Sequence, residues 1–316
     1  LEIREKKYPE AIQTLEEVLK LDSRNREARL TLALAFLETQ KTERAIDELN
    51  TLLASAPNDH EARYFLGGAY EEKKMNAEAL AEYERIPDAS PFYGSAQVRA
   101  GYILKGQGRT AEAVGRAEKA LAAKKNDAAL YGLLAALYEA DGRLPEAEKT
   151  LKDGIGVAPQ STDLRYRLGM LYDRTGRPDD GIREMEEILK QEPDSPEALN
   201  FIGYSWADRG IRLDEAEAMI KKALALKPGD GFITDSLGWV YYRKNRFDEA
   251  VRYLKEAAAI LPEDPAIADH LGDACEKAGR PGEALAQYEK ALKLKPDMKG
   301  LKEKIDNLRV RLGTQK

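Results

Sequence analysis

Small, apolar and helix-ending residues recur along this chain at one interval. Numbering from Gly231, Leu237 and Gly238 stand at positions 7 and 8, Tyr241 at 11, Ala250 at 20, Ala257 at 27 and Pro262 at 32. Moving on by 34 residues meets Leu271, Gly272, Cys275, Ala284, Ala291 and Pro296 at the same places. Moving back meets Leu168, Gly169 and Tyr172 with Pro193, then Leu134, Ala135 and Tyr138 with Ala147 and Pro159. Leu66, Gly67 and Tyr70 with Ala79 and Pro91 follow, and Leu32, Ala33 and Phe36 with Ala45 and Pro57 come first. Two helices per period account for the pattern. Small residues at 8 and 20 let them approach closely, a large apolar residue at 11 fills the space beside them, and proline at 32 ends the second. Glycine at position 15 (Gly108, Gly142, Gly176, Gly279) supplies the turn between them. One such pair cannot bury its apolar face alone, so neighbours must stack into an all-α solenoid.

The register predicts eight full repeats, at 26–59, 60–93, 94–127, 128–161, 162–195, 196–230, 231–264 and 265–298. Residues 1–25 fit the later part of another repeat, so the array is expected to start partway through one and the parent polypeptide to extend further. Residues 299–316 read as a capping helix and tail, with Leu301, Ile305, Leu308 and Leu312 on one face. Departures from the pattern mark particular places. Pro87 should end a helix early and leave a looser junction at 90–94. Gly154, Gly156 and Gly181 fall inside helices, where each costs about 1 kcal/mol relative to Ala, so repeats 2 to 5 are expected to be softer than the C-terminal third. Repeat 6 carries one extra residue in the turn within 207–216.

Composition narrows the function classes. Charged residues make up 34% of the 316, the net charge is only -6, and both signs are interspersed, so no clustered basic face for nucleic acid is expected. No stretch approaches 18 apolar residues, so no span of a bilayer is expected. A single cysteine excludes an intrachain disulfide framework and a Cys-based zinc site. Cys275 sits at core position 11 and reads as a buried, inert thiol. His60 and His270, the two histidines, lie six repeats apart. His60-Glu61 lacks the second histidine of a zincin helix, and the GQG at 106–108 is a helix-ending turn rather than a dinucleotide loop. No catalytic, metal or cofactor site is expected, and the chain is read as not an enzyme.

The repeat positions resemble the tetratricopeptide pattern across nearly the whole chain. That resemblance implies a right-handed superhelical solenoid in which the first helix of each repeat lines a concave groove through positions 2, 5, 9, 12 and 13. The partner-binding residues it implies are Tyr64, Tyr102, Tyr166, Met170, Arg174, Tyr204, Phe232, Trp239, Tyr242 and Arg243, with an acidic row at Asp269, Asp273 and Glu276. Tyr, Trp and Arg often dominate interface energetics, so the groove is expected to grip a partner's peptide or helix. Trp206, at core position 11, is expected to pack. Position 5 never carries lysine, so no carboxylate clamp of the chaperone-adaptor kind is expected.

The segments 83–113, 200–254 and 269–274 are similar to long repeat arrays of Gram-negative envelope lipoproteins. That likeness implies a periplasmic or outer-membrane-associated place and a partner such as an envelope protease or secretion component. A structural scaffold of a secretion or polysaccharide-export complex, and the repeat portion of a larger enzyme, stay open beside it.

Overall fold

The computed structural model describes residues 7–313, which hold eighteen α-helices and no strand. Two compact units divide the chain, residues 1–164 and 165–316. The first contains α1 (Tyr8–Leu21), α2 (Arg26–Glu38), α3 (Thr42–Ser55), α4 (His60–Glu72), α5 (Asn76–Glu84), α6 (Tyr93–Gly106), α7 (Thr110–Ala123), α8 (Ala128–Ala140) and α9 (Leu144–Val157). The division falls within α10 (Thr162–Arg174). The second unit continues with α11 (Pro178–Gln191), α12 (Pro196–Asp208), α13 (Leu213–Leu226), α14 (Gly231–Arg243), α15 (Phe247–Ile260), α16 (Pro265–Lys277), α17 (Pro281–Leu294) and α18 (Leu301–Leu312). From α1 to α9, and again from α11 to α18, each helix packs on the next in sequence. The architecture is an all-α helical repeat solenoid.

Each helix pair is started and turned by local chemistry. Asn25, Asp59, Asp127, Ser195, Asp230 and Asp264 stand immediately before α2, α4, α8, α12, α14 and α16, and their side chains accept from first-turn backbone N–H groups. Those bonds satisfy donors the helix cannot pair internally. The turn at position 15 needs a left-handed residue. Gly108, Gly142, Gly176 and Gly279 take it with φ between 73° and 77°, but Gln40, Lys74 and Asn245 do so as well, with φ of 57° to 59°. In the turn after α4 the Met75 N–H reaches back to the Tyr70 carbonyl at 2.9 Å, which closes the helix end in the Schellman manner. In the 209–212 connection the extra residue brings a second left-handed position, Arg212, whose guanidinium lies 3.9 Å over the Trp206 ring.

Three expectations change. α5 does stop early, at nine residues, but the stretch after it is packed rather than loose: Ile86 and Ser90 are buried, and the Ser90 hydroxyl accepts from the Phe92 N–H at 3.2 Å. Gly181 is a point of close approach, since a Cβ there would stand 2.8 Å from the Gly169 carbonyl oxygen and 3.0 Å from the Phe201 ring. Gly154 is likewise hemmed in by Tyr131, and only Gly156 faces open space.

The core of the second unit runs through Ile202, Leu237, Val240, Leu254, Leu271, Tyr288 and Leu301. Trp206 packs into it, and so does Cys275, whose thiol burial pushes upward in pKa. α18 adds Leu301, Ile305 and Leu308 to this core, while Leu312 in its last turn stays exposed. No helix among the described residues is long and apolar enough to cross a membrane.

Candidate functional site

A cleft of about 420 Å³ opens in the second unit. Tyr166, Met170 and Asp173 line it from α10, at spacings of four and three that put them on one helical face. α12 contributes Asn200, Phe201, Tyr204 and Ser205, and the start of α14 brings Phe232. Phe232 is 59% exposed and Met170 45%, so two large apolar side chains meet solvent beside the phenols. Burial, followed by the charge of Glu197, pushes the Tyr166 phenol upward in pKa; burial, then Asp208, Asp235 and Asp173, does the same to Tyr204.

The charges around the cleft are mostly negative. Lys227 is taken up by Asp230 at 3.0 Å and Glu197 at 3.2 Å. Burial, then the charge of Asp208, raises the Asp173 carboxyl above the usual range. Two buried polar atoms in the cleft wall, Asn200 Oδ1 and the Ser205 hydroxyl, have no hydrogen-bond partner.

A second cluster lies on α14 and α16. The His270 Nδ1 sits 3.0 Å from both carboxylate oxygens of Asp235, and its ring stacks on Trp239 at 4.3 Å between centroids. Trp239 stacks in turn on Tyr242 at 4.7 Å, and its indole N–H donates to Asp208 at 3.3 Å. Burial opposes the imidazolium of His270, but Asp235, with Asp269 and Asp273, outweighs it and raises its pKa.

The groove residues expected from the sequence therefore separate. Tyr166, Met170, Tyr204 and Phe232 line one cleft. Trp239 and Tyr242 do not continue it as an exposed row: Trp239 is 9% exposed because His270 and Tyr242 cover its two faces. Arg243 donates to the Asp208 backbone carbonyl, and Arg174 stands exposed outside the cleft lining. Tyr64 and Tyr102 belong to the first unit. Tyr64 is half-buried, within 5.5 Å of Phe92 and accepting from the Arg99 Nε at 3.1 Å, whereas Tyr102 is 41% exposed. The acidic row is covered, for Lys304 of α18 bonds Asp269 and Asp273 at 2.7 Å each and Arg311 reaches Glu276. Asp173 and Asp208 were missed as site residues although they fall at groove positions 12 and 13. Phe201, at position 6, and Ser205, at position 10, carried no such signal. Among the described residues no group of three or more His, Cys, Asp or Glu is placed to hold a metal ion.

Tetratricopeptide repeat models match residues 2–63 and 104–161, and 166–231 and 236–299. A TPR repeat-containing protein of Pseudomonas aeruginosa is 42% identical over 64 residues, 20% of this chain, and the match spans only 11% of that protein's length. Among solved structures, a tetratricopeptide repeat protein from Parabacteroides merdae is similar over 90% of this chain and 98% of its own, with TM-score 0.57 and 16% identity. Cut9–Hcn1, a hetero-tetramer of the APC/C, is similar over 94% of this chain and 58% of that one, with TM-score 0.65 and 14% identity. PilW, a type IV pilus biogenesis factor, gives TM-score 0.58 at 16% identity over 68% of this chain and 99% of its own. At such identities these likenesses show the fold. With the repeat models matched over most of its length, this chain belongs to the tetratricopeptide repeat family.

Proposed function

We propose that this chain is a non-catalytic interaction scaffold that holds a peptide or helix of another protein in the cleft between α10, α12 and α14. The observation that carries the reading is the exposure of Phe232 and Met170 beside Tyr166 and Tyr204 in one concavity. Large apolar side chains left in water beside polar partners mark binding surfaces. The envelope reading rests on the sequence likeness to envelope lipoprotein arrays, and an envelope protease or secretion component is the partner class it favours.

Photo-crosslinking tests the cleft. A photoreactive phenylalanine analogue at Phe232 should give a discrete adduct in envelope fractions, absent when the analogue replaces Leu226, an exposed residue outside the cleft. Tyr166→Ala should remove that adduct while leaving the far-UV circular dichroism unchanged. Equal adducts from both positions, or an adduct indifferent to Tyr166→Ala, would refute the proposal. Trp239 and Tyr242 are unsuited to this test, because they pack the α14–α16 contact.

A further inference from the structure

Within this second unit, several acidic side chains at groove positions are met by a cation from a neighbouring helix. Asp269 and Asp273 hold Lys304 of α18, whose ammonium also lies 5.0 Å over the Tyr288 ring. Asp235 holds His270 of α16. The carboxylates of Asp208 and Asp173 have no basic partner among the described residues, but Asp208 accepts from the Trp239 indole N–H, whereas no side chain among them donates to Asp173, which lines the cleft. Around it stand the Tyr166 and Tyr204 rings and two further acceptors without donors, Asn200 Oδ1 and the hydroxyl of Ser205, which is only 6% exposed. A buried acceptor left unpaired costs about 1–3 kcal/mol, so a ligand that supplies donors there is favoured.

We propose that the cleft seats an arginine side chain of the bound partner, with its guanidinium against the Tyr166 and Tyr204 rings and its N–H groups shared among Asp173, Asn200 and Ser205. This rests on the groove reading and names the chemistry the groove selects. Arginine fits better than lysine because its planar fork donates in several directions at once and stacks on aromatic faces. A metal ion is a poor occupant, because no group of three or more possible ligands is gathered among the described residues. Phe232 and Met170 would take an apolar residue next to that arginine.

Selection of randomised, phage-displayed dodecapeptides on the purified chain tests this. Peptides with arginine beside an aromatic or aliphatic residue should be enriched, and a synthetic representative should bind roughly ten-fold more tightly than its citrulline counterpart. Asp173→Asn should erase that difference and Ser205→Ala should reduce it, both with unchanged helicity. Enriched peptides that lack arginine, or an arginine preference that survives Asp173→Asn, would overturn the cation site and leave the groove standing. Recovery of the same peptides on a Tyr166→Ala/Phe232→Ala variant, or no enrichment at all, would overturn the groove reading too.

Discussion

At position 15 of each repeat one backbone conformation is served by two kinds of residue. Glycine takes the left-handed turn without steric penalty, whereas Gln40, Lys74 and Asn245 take it against the clash of their own Cβ. Lys74 is exposed. Lys74→Gly should therefore raise stability by about 0.5–1 kcal/mol, the strain released less the entropy glycine adds to the unfolded chain. A urea midpoint that falls would show that the turn tolerates a side chain without strain. The glycine turns were legible in the sequence because the residue announces the conformation. The three others were not, since nothing in Gln, Lys or Asn fixes φ, and only the spacing marks them.

The helix pair gives a sharper contrast between what spacing tells and what contact tells. The sequence treats Gly156 and Gly181 alike, as helix-interior glycines that weaken their helices. In the fold they are opposites. Gly156→Ala should stabilise by up to about 1 kcal/mol through helix propensity alone. Gly181→Ala should destabilise by about 1–3 kcal/mol, because the new methyl meets the Gly169 carbonyl and the Phe201 ring. Denaturant titrations of the two variants should shift in opposite directions, and a shift of the same sign would remove close approach as the reason for Gly181. The groove follows the same division. Positions 2, 5 and 9 put Tyr166, Met170, Tyr204 and Phe232 on faces that line one cleft, because helical period sets direction. The loss of Trp239 to packing was hidden, because it depends on His270, thirty-one residues further on, filling the space in front of it.

For the molecule as a whole, the modest net charge conceals strongly placed pairs that give stability a window in pH. Burial works against the charge on Glu217, but Lys221 and Lys244 outweigh it and hold its pKa at about 2, below the ordinary 4.5. Its contribution is present above that ordinary value and is lost as pH falls from 4.5 towards 2. His270 has the opposite sign. Its folded pKa is raised, so its contribution is complete below the ordinary 6.5 and disappears as pH rises through the folded value. The groups facing it are Asp235, Asp269 and Asp273, the last two also held by Lys304. Thermal melts should weaken on both sides of mildly acid pH. Glu217→Gln should flatten the acid limb and His270→Gln the alkaline one; unchanged limbs would show that these pairs are not the source.

The capping residues carry a further consequence, for how such an array can be cut and rejoined. Asp59, Ser195, Asp230 and Asp264 each close one repeat by number, yet each makes its hydrogen bond in the helix that follows. The segment that can be excised or duplicated whole is thus offset by one residue from the segment that repeats. A fragment opened at Pro265 begins with bare amides, whereas one opened at Asp264 brings its own cap.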